Sequence, residues 1–552
     1  MTDSSNKVFS SESKKESKHI IHKGLNSPYL SEFAASKEEC YWPEDLWSIG
    51  TKVYDINNED IVSFDQNDPK SDILVFDSKF ESGNLCEAFH LYDDSYHLIL
   101  EYDRNPSESC QWFYFQISNI KKEKHYEFFI SGFHKSKGLY TSGSKVFWYS
   151  EIRAEKQGIS WSRGGYEYDY CTIPNPSYKG KKRSTLRFLM DFPYDDDNVF
   201  LCYAIPYTYH DLINDIEKWS NEFPKNYFKA ETLCQSLGGK DVPMITITNS
   251  EIKTEKDYIL VSSRIHPGES NSSFLLRGFV EHLEKQCKNN PTIMQNFVFV
   301  IIPMLNVDGV IEGFYRVSLS GNDLNRMWGS PDLILHPEIY HSKRLFQSIV
   351  KEKNVNFYID FHGHSRQHGT FAYGCPNSDI PNLNDSEKVF PRLLSMICDA
   401  FSWNHCVFSY PEDRKTAGRI VVRTEMDVIN SYTIETSFGG IVSGPRAGYL
   451  YDRTLWEELG AKCCEALVSY ANEDRPSLIK YISNELRFCS PPRQRMENEK
   501  PFPQVSSELS DNHAKFKGYH AIEYKPILEC KADSITCQAP DFIQAHFLAF
   551  PN

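Results

Sequence analysis

Three well-separated segments carry side chains that could do chemistry together. Arg264-Ile265-His266-Pro267-Gly268-Glu269 sets a His and a Glu three residues apart, and Asp360-Phe361-His362-Gly363-His364 adds a His at the end of an apolar run. Thr433-Ile434-Glu435-Thr436 places a lone carboxylate inside an apolar strand. Two His and one Glu leave a tetrahedral zinc ion with one open position, the pattern of a catalytic rather than a structural site. A separate Glu can then take a proton from an attacking water. The reaction class this implies is metal-assisted hydrolysis.

Singly, each segment has a bland reading. A His and a Glu at this spacing recur by chance, and His362 alone reads as a packed or surface histidine. Together they are more specific. His266 follows the strand Tyr258 to Ser263, Pro267-Gly268 turns the chain tightly enough to bring Glu269 beside it, and His362 ends a second apolar strand. His266, Glu269 and His362 can therefore meet along one sheet edge. His364 shares a strand face with His362 and reads as a supporting or substrate-facing residue, since three ligands suffice.

Further candidates lie between the ligands. In Asn306-Val307-Asp308-Gly309-Val310-Ile311-Glu312-Gly313-Phe314-Tyr315-Arg316 a strand ends in a turn and presents Arg316. Gly321-Asn322-Asp323-Leu324-Asn325-Arg326 sets an Asn beside an Arg. Such a pair can clamp a terminal carboxylate, with the Arg as a bidentate fork. A surface loop with a solvated Arg reads equally well from these residues alone.

The elements that must position these groups fall into two kinds. From about 72 to 210 short strands alternate with turn signals, as in Trp112 to Ile117, Tyr126 to Ile130 and Val199 to Tyr203, which predicts a β-sandwich. From 211 to 473 helical windows alternate with strong strands. The helices are expected at Asp211 to Glu222, Ser273 to Gln286, Pro337 to Lys351, Phe390 to Phe401 and Arg453 to Ala471. The strands are expected at Met244 to Ile247, Tyr258 to Ser262, Phe297 to Pro303, Val355 to Phe361 and Tyr432 to Phe438. That alternation predicts an α/β domain with a mixed, largely parallel sheet and flanking helices. The candidate residues lie at or near the C-terminal ends of its strands, where open α/β sheets place their sites. Residues 1–71 read as a polar N-terminal extension. Residues 474–552 read as a Pro-containing, mostly disordered tail with one short helix near Leu478 to Phe488.

At 552 residues the chain is too long for one ordinary core, and with 40% hydrophobic and 14% aromatic residues it can bury two. A formal net charge of -15 argues against nucleic acid and anionic membrane as partners and makes any local Arg cluster informative. The Lys179-Gly180-Lys181-Lys182-Arg183 run reads as a solvated loop, or as an attractor for an acidic tail partly cancelled by Asp195-Asp196-Asp197. No apolar signal region opens the sequence and no uninterrupted apolar run is long enough to span a bilayer. The 15 Cys, without CxxC pairs, read as reduced thiols.

In their order along the chain, HPGE, N-x-D-G, YR, D-L-N-R, D-F-H-G-H-S and T-I-E-T resemble the zinc carboxypeptidases, and among them the cytosolic carboxypeptidases. Outside the site, Phe76 to Leu85, Trp112 to Phe115, Lys135 to Tyr140 and Tyr203 to Tyr209 resemble that family's N-terminal β-domain, so the likeness spans roughly 72–473. The resemblance implies that His266, Glu269 and His362 bind one zinc per chain and that Glu435 is the general base. It implies that Arg316 polarises the scissile carbonyl, that Asn325 and Arg326 hold the substrate's α-carboxylate, and that Asp323 accepts a hydrogen bond from the first zinc His. The family removes C-terminal glutamates, notably from polyglutamylated tubulin, and Arg419 matches the cation expected for the glutamate side chain, with Arg423 a weaker candidate.

Val307 for the usual Pro, Met327-Trp328 after Asn325-Arg326, and Thr436 after the base depart from the family pattern without removing a catalytic group. The implied protein is a cytoplasmic monomer, associated with microtubules or cilia, whose partner is polyglutamylated tubulin or another protein with an acidic C-terminus. Two alternatives stand beside it. One is an aminoacylase-like zinc amidohydrolase acting on small N-acyl amino acids, against which the long chain and extra β-domain argue. The other is a catalytically silent microtubule-binding scaffold.

Overall fold

The structure, a computed structural model, describes residues 50–58, 72–104, 109–174, 182–378, 380, 385–470 and 475–488. The expectations for residues 1–49 and for the tail beyond 488 lie outside the described residues.

The N-terminal unit holds strands β1 (Thr51–Asp55), β2 (Val75–Asp77), β3 (Leu85–His90), β4 (Ser95–Leu100), β5 (Tyr114–Ser118), β6 (Tyr126–Phe133), β7 (Val146–Ser150), β8 (Ser162–Gly164), β9 (Tyr166–Pro174), β10 (Lys182–Met190) and β11 (Val199–Cys202). They form a six-stranded sheet, β1-β3-β4-β6-β10-β9, and a five-stranded sheet, β2-β5-β11-β7-β8. All neighbours are antiparallel except β4 and β6. Aromatic side chains bridge the two sheets: Phe76 meets Tyr96 at 5.5 Å between ring centroids and Phe113 meets Phe133 at 6.1 Å. Offset and edge-on pairs of this kind add to the burial that holds a sandwich closed. The sheet begins ahead of residue 72, because β1 pairs antiparallel with β3. A short helix, α1 (Glu151–Gln157), follows β7.

Helix α2 (Tyr209–Glu222) opens the second unit behind a Thr208/Asp211 capping box. The unit's sheet runs β12 (Phe228–Gln235), β13 (Asp241–Ile247), β15 (Phe297–Ile302), β14 (Asp257–Ser263), β16 (Val355–His364), β18 (Asn430–Ser437) and β17 (Thr370–Tyr373). The central strands β15, β14, β16 and β18 are parallel and the outer pairings antiparallel. Their unbroken apolar runs reflect burial on both faces. Helices α3 (Ser270–Asn289), α4 (Thr292–Asn296), α5 (Val307–Ile311), α6 (Pro337–Glu352), α7 (Val389–Ile397), α8 (Gly418–Met426), α9 (Arg453–Tyr470) and α10 (Arg475–Phe488) complete it. Phe361 on β16 packs on Phe279 of α3, whereas Tyr358 packs on Phe346 of α6, so these helices cover opposite faces. Helices α3 and α9 touch backbone to backbone. A Cβ on Gly278 would lie 1.8 Å from the Glu457 carbonyl oxygen, so only glycine permits the approach.

The two units share one core. Tyr203 meets Phe438 at 4.9 Å, Arg163 of β8 donates to the Phe438 and Tyr451 carbonyls at 2.6 and 2.7 Å, and Ser82 donates through its backbone N–H to the Ile311 carbonyl at 2.9 Å. Of the basic run, Lys179 to Lys181 lie outside the described residues. Arg183 is buried rather than solvated and donates to His134 Nδ1 at 2.7 Å. Ten of the described cysteines are free thiols, but Cys171 is disulfide-bonded, which departs from the reading of reduced thiols throughout.

Candidate active site and metal centre

Strand register sets the first half of the site. Parallel pairing of β16 with β18 places His362 opposite Glu435 and Asp360 opposite Thr433. Paired residues on neighbouring strands share a face, so His362, Glu435 and Asp360 project together. On the other side of β16, the chain leaving β14 bends at Arg264, whose backbone has φ +56°. Its buried guanidinium holds the bend, donating to the Pro267 and Tyr207 carbonyls and to Ser273 Oγ at 2.7, 2.9 and 2.9 Å. Gly268 is required in the turn, since a Cβ there would lie 2.5 Å from the Tyr315 ring. Glu269 then sits at the start of α3, beside His266.

His266 Nδ1 lies 3.0 Å from Glu269 Oε1, and His362 Nδ1 lies 3.1 Å from Glu269 Oε2. One ligand atom from each of the three residues falls within 4.8 Å of the other two, and all three side chains are buried. Each imidazole is anchored at its far nitrogen. His266 Nε2 lies 3.1 Å from Asp323 Oδ1, and His362 Nε2 lies 2.8 Å from Asp360 Oδ2. A carboxylate at Nε2 favours the proton there and frees the Nδ1 lone pair for a metal. Burial alone would raise the Glu269 pKa, but His266 and His362 outweigh it and hold the carboxyl well below its usual range. Two imidazoles and one carboxylate, oriented from outside and sharing one small space, fit a zinc ion, which would take the place of the imidazole protons at Nδ1.

Glu435 is near this group but not part of it. Its Oε2 is buried without a hydrogen-bond partner, and burial pushes its carboxyl up to about 7 against the attraction of His362. An orphaned, elevated carboxyl beside a metal cradle suits a proton acceptor. Glu425, a carboxylate ten residues before Glu435, is exposed and paired with Lys343 at 2.7 Å, unlike the buried, unpartnered Glu435.

The Arg316 guanidinium donates through Nε and Nη2 to Asp323 Oδ2 at 2.9 and 2.7 Å, so one carboxylate orients both Arg316 and His266. The segment Asn306 to Arg316 holds no strand, contrary to expectation: β15 ends at Ile302, and the segment forms the short helix α5, capped by Asn306. Asn306 Nδ2 donates to the Ile265 and Val317 carbonyls, both at 3.2 Å, tying the HPGE bend to the Arg316 loop. Asn325 is buried: its Oδ1 accepts the Gly418 N–H at 2.9 Å, and its Nδ2 lies 3.5 Å from His362 Nε2, so it stands beside the metal centre. Arg326 donates to the neighbouring Asn325 carbonyl at 2.8 Å.

Arg419, in the first turn of α8, lies with its guanidinium 5.3 Å from the Tyr373 ring centroid. Among the described residues no carboxylate pairs with it, and its Nε is buried without a hydrogen-bond partner. Burial lowers its pKa, opposed by Cys375 and Glu435. Arg423 is placed differently: it is buried and its Nε donates to Asn377 Oδ1 at 2.8 Å, so the structure gives it a packing contact rather than an opening to the site. His364 accepts the Gln367 N–H at Nδ1 and packs on Phe371.

Three residues with no role in the sequence reading join the site. Asp360 lies two positions before His362 on the same strand face, a spacing that could have marked it. Asp103 and Lys135 come from the N-terminal unit. Asp103 accepts backbone N–H groups of Tyr315, Arg316 and Val317, and Lys135 donates to Tyr315 Oη and Ser365 Oγ. No local spacing announces either.

A family model described as zinc carboxypeptidase matches residues 213–441. The chain is 35% identical over 432 residues to cytosolic carboxypeptidase 2 of Xenopus tropicalis, covering 77% of this chain and 44% of that protein. It is 33% identical over 498 residues to cytosolic carboxypeptidase 1 of Homo sapiens, covering 82% of this chain and 40% of that protein. The chain thus spans less than half the length of these two relatives. A metallo-carboxypeptidase from Burkholderia cenocepacia superposes with a TM-score of 0.57 at 20% identity, over 72% of this chain and 98% of that one, and so shares the fold. With the motifs in family order and these identities, the chain belongs to the cytosolic carboxypeptidase family of zinc carboxypeptidases.

Proposed function

We propose that this protein is a zinc-dependent metallocarboxypeptidase of the cytoplasm that removes glutamate from protein C-termini or from side-chain polyglutamate, with polyglutamylated tubulin as its principal substrate class. The observation that carries the glutamate reading is Arg419, a guanidinium at the site with no carboxylate partner among the described residues of a chain whose net charge is -15. A buried unpaired charge is costly, and an acidic side chain would relieve it.

His266, Glu269 and His362 would hold the zinc, which supplies Lewis acidity at the scissile carbonyl and lowers the pKa of water. The protein's own residues do the rest. Asn325 and Arg326 hold the substrate's α-carboxylate, and Arg419 receives its side-chain carboxylate. Arg316, oriented by Asp323, donates to the carbonyl oxygen as negative charge develops there. Glu435 takes a proton from the attacking water. After the C–N bond breaks it passes that proton to the departing amine.

Incubation with polyglutamylated tubulin, reading branch and chain glutamates separately, tests the substrate. Free glutamate should accumulate, and amidating the C-terminus of a peptide substrate should abolish cleavage. Efficient cutting of the amidated peptide, or release of C-terminal leucine and glutamate at equal rates, would overturn this reading.

A further inference from the structure

Lys135 reaches the site from beyond the end of β6, in the other unit. Its ammonium donates to Tyr315 Oη and Ser365 Oγ and lies 4.6 Å from the Tyr315 ring centroid. Tyr315 directly precedes Arg316, and Ser365 directly follows His364. An ammonium has three donors, and these contacts account for two. Among the described residues no carboxylate pairs with Lys135. Arg366, next to Ser365, is exposed, and among the described residues it too has no ion pair. Burial lowers the Lys135 pKa to about 7, and Arg316 pushes it the same way.

The two ends of the site differ in their cations. Asn325 is bonded to Gly418, so the α-carboxylate clamp lies beside Arg419 at the start of α8. Lys135 is bonded instead to the neighbour of Arg316 and to the segment after the zinc strand. On the carboxypeptidase reading, the last residue is held by Asn325, Arg326 and Arg419 and the scissile carbonyl by Arg316, which puts the preceding residue on the side of Arg316 where Tyr315 takes the Lys135 ammonium. Asp323 already pairs with Arg316, and Glu269 and Glu435 attract the Lys135 ammonium without bonding to it. The third Lys135 donor and the Arg366 guanidinium are what this end offers to an anionic occupant.

We propose that Lys135 and Arg366 form a subsite for the side-chain carboxylate of the residue on the acyl side of the scissile bond. The substrate is then acidic on both sides of the bond cut, and the β-sandwich supplies part of the specificity. This rests on the carboxypeptidase reading above but not on the role of Arg419.

The test uses the full-length zinc protein and four peptides, ending Glu-Glu, Gln-Glu, Glu-Leu and Gln-Leu. The readout is the ratio of kcat/KM for Glu over Gln at the penultimate position, measured in both C-terminal series. The wild type should favour Glu by roughly tenfold, between the effects of an exposed and a fully desolvated charge pair. Lys135→Met should bring the ratio close to one, Lys135→Arg should keep most of it, and Arg366→Gln, at an exposed position, should lower it partway. A wild-type ratio near one, or a ratio unchanged in both Lys135→Met and Arg366→Gln, would overturn the subsite. Equal rates on C-terminal Glu and Leu would count against the glutamate reading alone, because the penultimate ratio is still measured. If no peptide is cut, calorimetric binding of the same pairs decides, and equal binding of the Glu and Gln peptides overturns the subsite.

Discussion

The carboxylate of Asp103 accepts the backbone N–H of Arg316 at 2.7 Å across the boundary between the two units. It also accepts the N–H groups of Tyr315 and Val317 at 2.7 and 3.0 Å, and it is 2% exposed. The β-sandwich therefore grips the strip of backbone from which Arg316 projects. An Asn at this position offers one acceptor oxygen and turns N–H donors against N–H donors. Asp103→Asn should lower kcat by roughly a hundredfold, the scale of a 1 Å misplacement of a catalytic group. Zinc content should not change, and a variant with full kcat would show that the grip does not position Arg316.

The second prediction concerns the support behind the metal ligands. Asp360 Oδ2 lies 2.8 Å from His362 Nε2, while its Oδ1 accepts from Ser262 Oγ at 2.8 Å. Asp360→Asn keeps the shape but presents a weaker acceptor or a donor to the imidazole. Loss of such an outer partner typically weakens metal binding by about 10–100-fold. Competition against a chelator, read as zinc retained per chain, should show that shift. His266→Ala should lose zinc outright. Retention of zinc by a His266→Ala, His362→Ala double variant would remove the metal site from this position.

The third concerns the base. Burial holds the Glu435 carboxyl up at about 7, so the proton-accepting form is depleted as pH falls below that value. The sign follows: kcat/KM should rise with pH through about 7 and then level. Glu435→Gln cannot accept a proton and should lose on the order of 10²–10⁴-fold in kcat while still binding zinc and peptide. A pH profile for the variant that keeps the wild-type acid limb at near-normal rate would place the base elsewhere.

These residues were not equally legible. His266 and Glu269 could be read because both lie in one bend, where spacing is geometry. His362 and Glu435 could be read as lying on separate strands, but their direct pairing depends on the register of β16 against β18, which neither strand's own sequence fixes. Asp103 and Lys135 were silent because their partners are far away in the chain. Strand β1 was hidden for another reason: Thr-Lys-Val-Tyr-Asp is a short, charged edge strand set in polar sequence, the composition that protects sheet edges. Arg419 and Arg423 differ by one helical turn, so sequence suggests similar directions for both. The Asn377 side chain, from a distant loop, is what separates them.

Arg419 carries the last prediction. Its guanidinium lies at the start of α8, within reach of Glu435's charge, with its Nε buried and unpartnered among the described residues. The protein is acidic overall, so the cation that receives a glutamate side chain must be local. Arg419→Leu removes that cation and leaves the incoming carboxylate desolvated without a partner. Transition-state stabilisation on C-terminal glutamate should fall by about 2–4 kcal/mol. On C-terminal leucine the same change should cost less, or raise the rate, because an apolar side chain gains an apolar wall. Zinc content should stay constant, since His266, Glu269 and His362 do not touch Arg419. Equal losses on glutamate and leucine peptides would make Arg419 a structural residue. Arg423→Leu, at the residue bonded to Asn377, serves as the control and should lower both rates alike.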